Sequence, residues 1–291
     1  MGNLHRQIMD KNDFRDEIKK YIDNTYSEFC EYQRIALDVL VEFDRICTIN
    51  QLDYYLAYGS LIGAVRDHTQ IPWDYDIDTL VKITDREKLV KVLNEDLGDD
   101  FYYDYSNKNS TYPTSCLRIC KKGYNMMALH VDVFFLIGTP NEEAKRNAFI
   151  EKINRIMKLR TSKYLPLYLK RAPISRLGKM RQFLYKLIPN GYIKWRENSL
   201  FNKYSLKGSL FWCSNQTVYK KVYSNEIFSS VTKVNVNNML FSAPIGFDAF
   251  LTIIYGNWQS YLPVKHRFEE FYKMKNEVDE RQKLYTKPNR E

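Results

Sequence analysis

Apolar residues recur at helical spacing between residues 12 and 50, first at Ile18, Tyr21, Ile22, Tyr26 and Phe29, then at Ile35, Val39, Phe43 and Ile46. That period predicts one long amphipathic helix or two in succession. "YYLAYGS" (54–60) then reads as a short strand broken at Gly59, and "SLIGAVRD" as a helical turn. "TDREKLVKVLNEDL" opens with Thr84 and Glu87 at the spacing of a capping box, so a helix follows directly. Three strand-like runs come next: "FYYDYS" (101–106), "SCLRICKK" (115–122) and "LHVDVFFLIG" (129–138). From about residue 141 the pattern turns mainly helical, with Pro166, Pro173 and Pro189 as breakers, a compact turn and helix over 243–258, and a polar helix from about His266.

This order predicts an α+β fold, or a mixed α/β unit, ending near residue 140. It divides the chain into an N-terminal helical segment (1–50), a mixed-sheet core (51–140) and a mainly helical C-terminal region (141–291).

One stretch breaks the rules for strands. "WDYDIDTLV" puts Asp74, Asp76 and Asp78 at every second position of an otherwise strand-like run, where like charges repel and β-propensity is poor. Alternation would place all three on one face, with Tyr75, Ile77 and Thr79 on the other. Carboxylates held side by side repel unless a proton or cation lies between them. A hard divalent ion, Mg²⁺ or Mn²⁺, resolves the conflict through oxygen ligands. "HVDVFF" adds Asp132 inside an apolar strand, where an unpaired charge is costly. Upstream, Gly59 and Ser60 at a strand-to-helix break offer backbone N–H groups and a hydroxyl suited to phosphate. The alternative for each element is bland: an Asp-x-Asp on a solvated face, and a Gly-Ser pair that only turns the chain. Strand, Gly-Ser, helical turn, acid-x-acid and later acid, in that order, favour a metal-dependent phosphoryl site.

Charge sharpens the picture. The 291-residue chain carries a net charge of +9. Residues 152–221 contain 17 Lys and Arg against one acid, Glu197, hence +16, leaving −7 for the remainder. Basic residues interleaved with aromatic and aliphatic ones there suit an anionic membrane face or a lipid-linked glycan diphosphate; a solvated helical face is the alternative, and no nucleic-acid-binding module accompanies the charge. The polar N-terminus lacks the apolar run of a signal peptide, Arg6 stands where myristoylation after Gly2 wants Ser or Thr, and no stretch is long and apolar enough to span a bilayer. A cytoplasmic location follows as the expectation. The five cysteines form no paired zinc pattern and read as reduced structural thiols. His130 lies two residues from Asp132, on the same strand face, within reach of a hydrogen bond.

The sequence "YGSLIGAVRDHTQIPWDYDIDTLV" resembles the signature of the LicD family, G-[ST]-L-[LI]-G-x-[VY]-R…IPWDxDxD, within the wider nucleotidyltransferase (polymerase β-like) fold. "HVDVFFL" resembles the family's third-acid strand, and "APIGFDAFLTIIYGNWQSYLP" its C-terminal segment, so the likeness covers about residues 50–138 and 240–266. The family usually carries Asp where this chain has Tyr75.

The resemblance implies a phosphotransferase that moves an alcohol phosphate, phosphocholine above all, from a CDP-alcohol such as CDP-choline to a hydroxyl of a cell-surface glycan, releasing CMP. Carried over, Asp76 and Asp78 would bind the metal, and Asp132 would be the third ligand or the base for the attacking hydroxyl. Gly59 and Ser60 would hold the donor diphosphate, and Asp74 would support the pair. Arg66 would contact phosphate or form a structural salt bridge with a neighbouring acid. Choline would want an aromatic cage, for which Tyr58, Trp73, Tyr75, Tyr255 and Trp258 lie in or near the matched motifs. Two alternatives remain: a nucleotidyltransferase moving NMP from an NTP to a small molecule or protein, and a basic adaptor on a degenerate transferase fold.

Overall fold

The apolar-periodic run near the N-terminus folds as a single helix, α1 (Asp23–Ile49), whose Phe29, Ile35, Val39, Phe43 and Ile46 are buried on one face. The structure, a computed structural model, describes residues 23–109, 111–168, 176–215 and 220–283. The predicted helical positions Ile18, Tyr21 and Ile22 and the breaker Pro173 lie outside them.

The strand after α1 is shorter than predicted: β1 (Tyr54–Leu56) ends before Gly59. The chain turns at Tyr58 instead, a non-glycine residue at φ 49°. Its buried ring packs edge-on against Phe134, and its hydroxyl shares a 2.7 Å hydrogen bond with Ser214. Those contacts hold a backbone conformation that few large side chains adopt. Tyr58 thereby opens a short helix, α2 (Tyr58–Ile62), which continues into a π-helical turn over Gly63–Asp67.

After β2 (Ile77–Lys82) the predicted capping box does not form. A 3₁₀ turn (Ile83–Asp85) intervenes, Thr84 hydrogen-bonds the Asp85 carboxylate, and α3 (Arg86–Asp96) starts after Asp85 with no side-chain cap. β3 (Phe101–Asp104), β4 (Leu117–Lys121) and β5 (Val131–Gly138) follow as the expected meander. They join one mixed sheet in the order β1-β2-β5-β4-β3, in which β2 and β5 run parallel and the other pairs antiparallel. All eight residues of β5 are buried, as a nearly continuous apolar central strand requires.

The sheet crosses the boundary expected at residue 140. β6 (Phe211–Ser214) pairs antiparallel with the end of β5 and in turn with β7 (Tyr223–Ser224). Buried Asn215 fixes this junction: its side chain accepts from the Phe135 N–H at 2.7 Å and donates to the Ser115 carbonyl at 2.7 Å. A separate hairpin, β8 (Val231–Val236) and β9 (Met239–Pro244), packs on β1. The fold is therefore α+β with a nucleotidyltransferase-like mixed sheet, and its mainly helical C-terminal part also contributes strands to that sheet.

Among the C-terminal helices, α4 (Glu143–Tyr168) runs past Pro166, which lies close enough to its end to leave the earlier turns intact. α5 (Arg176–Leu187) and α6 (Asn190–Phe201) follow, with Pro189 capping α6 as the expected breaker. α7 (Phe247–Tyr255) and α8 (Val264–Lys283) complete the described chain. α4 and α6 are joined through a buried ion pair, in which the Arg160 Nε donates to both Glu197 oxygens at 2.7 and 2.8 Å. Arg160 also donates to the Tyr112 carbonyl and Ser115 donates to Glu197, so the pair holds the β3–β4 loop as well. Replacing Glu197 by Ala leaves the guanidinium buried without its counter-charge. We expect a loss of about 3–5 kcal/mol, read from the urea midpoint.

Candidate active site

The acids do not lie along one strand face as the alternation predicts. Only Asp78 belongs to β2, because the chain before it is folded into a turn. The Asp74 N–H bonds back to the Ile71 carbonyl at 3.0 Å, and the Gln33 amide donates to the carbonyls of Ile71 and Asp74 at 2.8 and 2.5 Å. With these groups satisfied locally, the ladder begins at Ile77, and Asp74 and Asp76 approach Asp78 from the loop. Gly59 makes room for them: a Cβ there would lie 2.5 Å from Asp74 Oδ2. Ser60 ties the short helix to the acids by accepting the Asp78 N–H at 2.9 Å. Gly59, Ser60, Asp74, Asp76 and Asp78 are thus gathered into one corner.

The parallel register brings in the third acid. Asp78 on β2 stands beside Asp132 on β5, and Asp132 stands beside Arg118 on β4, so the three form one row across the sheet. Thr79 locks the row by donating to the Asp132 carbonyl at 3.0 Å. Arg118 is the residue the sequence reading missed. Its Nε donates to Asp132 Oδ1 at 2.6 Å and its Nη2 to Oδ2 at 3.2 Å, with both side chains buried. A charge embedded in the apolar run "CLRIC" was the available signal, parallel to Asp132 in "HVDVFF".

Electrostatics divides the row. Burial works to raise the pKa of Asp132, but the charges of Arg118 and His130 overcome it and hold the carboxyl well below the usual range. His130 Nε2 lies 3.4 Å from Asp132 Oδ2, and the Cys116 thiol donates to Oδ1 at 3.3 Å. Asp78 shifts the other way: burial pushes it up, and the charges of Asp76, Asp132 and Asp74 push it further, with Arg118 opposing. Asp74 is raised by burial, by the Asp76 charge and by a hydrogen bond to Asp76. Two carboxylates can share such a bond only through a proton, and a cation would take that proton's place.

Asp76 and Asp78 accordingly fit a hard divalent cation. Among the described residues no three His, Cys, Asp or Glu side chains are gathered as a metal-holding set. Mg²⁺ needs fewer, since it keeps several waters and binds through one or two carboxylates plus substrate phosphates. Asp132 is already engaged by Arg118.

Arg66 takes the structural alternative. Its Nε and Nη2 reach the two Asp67 oxygens at 3.2 and 2.9 Å, and its guanidinium lies 4.1 Å from the Tyr261 ring centroid, with both charged side chains nearly inaccessible. The aromatic candidates are largely built into the fold. Tyr58 is core, buried Tyr75 accepts from Arg281 at 3.0 Å, and Trp258 donates to Asp248 at 3.1 Å. A cavity of about 150 Å³ opens beside the row, lined by Cys116, Arg118, Asp132, Thr161 and Asn215 among others. A larger cleft of about 700 Å³ lies at the far end of β2, around Lys82 and Thr84, and contains none of these acids.

Residues 51–177 match the family described as "LicD/FKTN/FKRP, nucleotidyltransferase domain". They form a LicD-family domain. The matched segment spans Gly59, Ser60, the three loop and strand acids, Arg118 and Asp132, the same set that the fold gathers. The chain is also similar to "Lipopolysaccharide cholinephosphotransferase LicD" of Haemophilus influenzae, at 24% identity over 259 residues, which cover 83% of this chain and 97% of that relative. The likeness therefore continues beyond the LicD domain into the C-terminal region.

The row makes a testable claim about Arg118. Arg118→Met strands the Asp132 carboxylate and should cost about 3–5 kcal/mol in urea unfolding. Adding Asp132→Leu should recover much of that loss, giving a clearly non-additive double-mutant cycle.

Proposed function

We propose that this chain is a phosphocholine transferase that uses CDP-choline as donor, a divalent cation as cofactor and a glycan hydroxyl as acceptor. The observation that carries this reading is the likeness over 97% of the Haemophilus influenzae cholinephosphotransferase, in a chain whose LicD-type acids converge on one corner of the sheet.

In the proposed reaction the acceptor oxygen attacks the phosphorus that bears choline. A new O–P bond forms, the bond to the bridging oxygen of CMP breaks, CMP leaves with that electron pair, and the hydroxyl proton passes to solvent or a nearby base. Asp76 and Asp78 would hold Mg²⁺ or Mn²⁺, which when bound offsets negative charge on the diphosphate. Gly59 and Ser60 would lie against the donor phosphates, with Asp74 behind them. Of the two roles implied for Asp132, its bond to Arg118 favours a fixed charge or metal contact over proton removal, because a carboxylate with a depressed pKa is a weak base. Most of the rate enhancement would then come from positioning and electrostatics.

Nucleotidyl transfer is the second reading, favoured by the words "nucleotidyltransferase domain" in the family description. Product identity separates the two. With Mg²⁺ and CDP-choline, we expect a rise in Tm that EDTA abolishes, and CMP release when glycan acceptor is supplied. Asp78→Asn should lower CMP release by at least about a hundredfold. Pyrophosphate from a nucleoside triphosphate, without CMP from CDP-choline, would establish nucleotidyl transfer instead. No metal-dependent response to either class of donor would overturn both readings.

A further inference from the structure

Helix α5 is built inside out. Met180, Phe183, Leu184 and Leu187 fall at i, i+3, i+4 and i+7, the spacing of a stripe that would ordinarily face a core. Yet these residues are 58%, 62%, 52% and 65% exposed. The next helix extends the surface: Tyr192 and Trp195 on α6 are exposed, their rings 5.9 Å apart. Leu167, near the end of α4, is exposed as well.

The stripe is held outward by the way its neighbours are fixed. Lys163 on α4 donates to the Ile188 carbonyl at the end of α5, and Tyr164 donates to Asn190 at 2.7 Å. On α6 the opposite face is occupied by Lys194, which donates to the Asn107 carbonyl at 3.0 Å, and by Glu197 in its buried pair with Arg160. Rotating either helix to hide its apolar residues would break these bonds.

The surrounding charge identifies what covers the stripe. From Arg176 to Arg196 the sequence holds six Lys and Arg and no acid, within the +16 stretch of 152–221. Lys186 is exposed at the stripe itself. No helix of the described residues is long and apolar enough to cross a membrane. An apolar face of single-helix width, in a strongly basic segment with Lys186 exposed beside it and carrying an exposed Trp and Tyr, matches a surface that lies in the interface of an anionic bilayer. Of the basic residues the charge pattern singles out, Lys170 and Arg171 lie outside the described residues, as do the side chains of Arg176, Lys179 and Arg181.

We propose that α5 and the start of α6 dock the protein peripherally on an anionic membrane, with Phe183, Leu184, Leu187 and Trp195 entering the headgroup region. This surface shares no residue with the acidic corner, and the inference stands whichever transfer reaction occurs there.

Full-length protein should co-sediment with vesicles of equal parts phosphatidylglycerol and phosphatidylcholine, and not with pure phosphatidylcholine. Binding should weaken with added salt. Phe183→Ser with Leu187→Ser should reduce the binding at least about tenfold while leaving Tm nearly unchanged, since both positions face water. A second readout does not depend on that variant. Trp195 is the exposed tryptophan of the four, the others being at most 9% exposed, so anionic vesicles should shift its emission to the blue, and Trp195→Phe should abolish the shift. Absence of binding to anionic vesicles at low salt would overturn the proposal, as would binding that the serine variant leaves intact. A dimer that the serine variant converts to monomer, with no vesicle binding, would assign the face to a second copy of this chain and overturn it equally.

Discussion

The pairing of Arg118 with Asp132 is the constraint on which the rest of the site depends. Four carboxylates converge at one corner of a sheet whose central strand is wholly buried. Without a buried cation in the same row, the innermost of them would be protonated or expelled. Arg118 holds Asp132 ionised in the row and opposes the repulsion that Asp76, Asp132 and Asp74 exert on Asp78, leaving most of the unpaired negative charge on Asp74, Asp76 and Asp78. A fixed ion pair thereby converts a general excess of negative charge into a local one, at the place where a mobile cation and a phosphate are useful.

The same logic explains the backbone around the acids. Two elements that look unrelated in sequence, the Gly-Ser turn and the acid-rich loop, are drawn together by few contacts: a glycine without a side chain, a serine that accepts a strand amide, and a distant Gln33 on α1 that caps the loop's carbonyls. Tyr58, strained in the left-handed region, sets the direction of that turn through its buried ring and hydroxyl. The site is assembled from one loop, one short helix and three strands, and Gln33 ties the loop to α1.

Much of this was legible in the sequence, and the parts that were not have physical reasons. Ile35, Val39, Phe43 and Ile46 announced α1 because a buried helix face has a period of its own. The apolar runs that became β3, β4 and β5 were legible for the same reason. Asp74 and Asp76 were misplaced onto a strand because alternation alone cannot register that Gln33, some forty residues away, satisfies the loop's carbonyls. The role of Arg118 depended on strand register, and the ion pair of Arg66 with the adjacent Asp67 on packing against Tyr261. The stretch that holds α5 was legible only as cations interleaved with aromatic and aliphatic residues in a mainly helical region, and which way the apolar side of the helix points is decided by Lys163, Tyr164 and Glu197 on its neighbours.

The pairing of β6 with β5 carries the sheet beyond the segment that matches the family. The LicD domain spans residues 51–177, yet the end of its central strand is completed by residues 211–214 and secured by Asn215. During synthesis, Leu136 to Gly138 emerge with one edge unpaired and wait while three helices' worth of chain is made before the partner strand arrives. Until then the nascent protein carries an open apolar edge, the kind of surface that recruits other strands. The long basic segment between β5 and β6 sets the sequence distance over which that edge must close, and its positive charge disfavours contact between like chains while the edge is open.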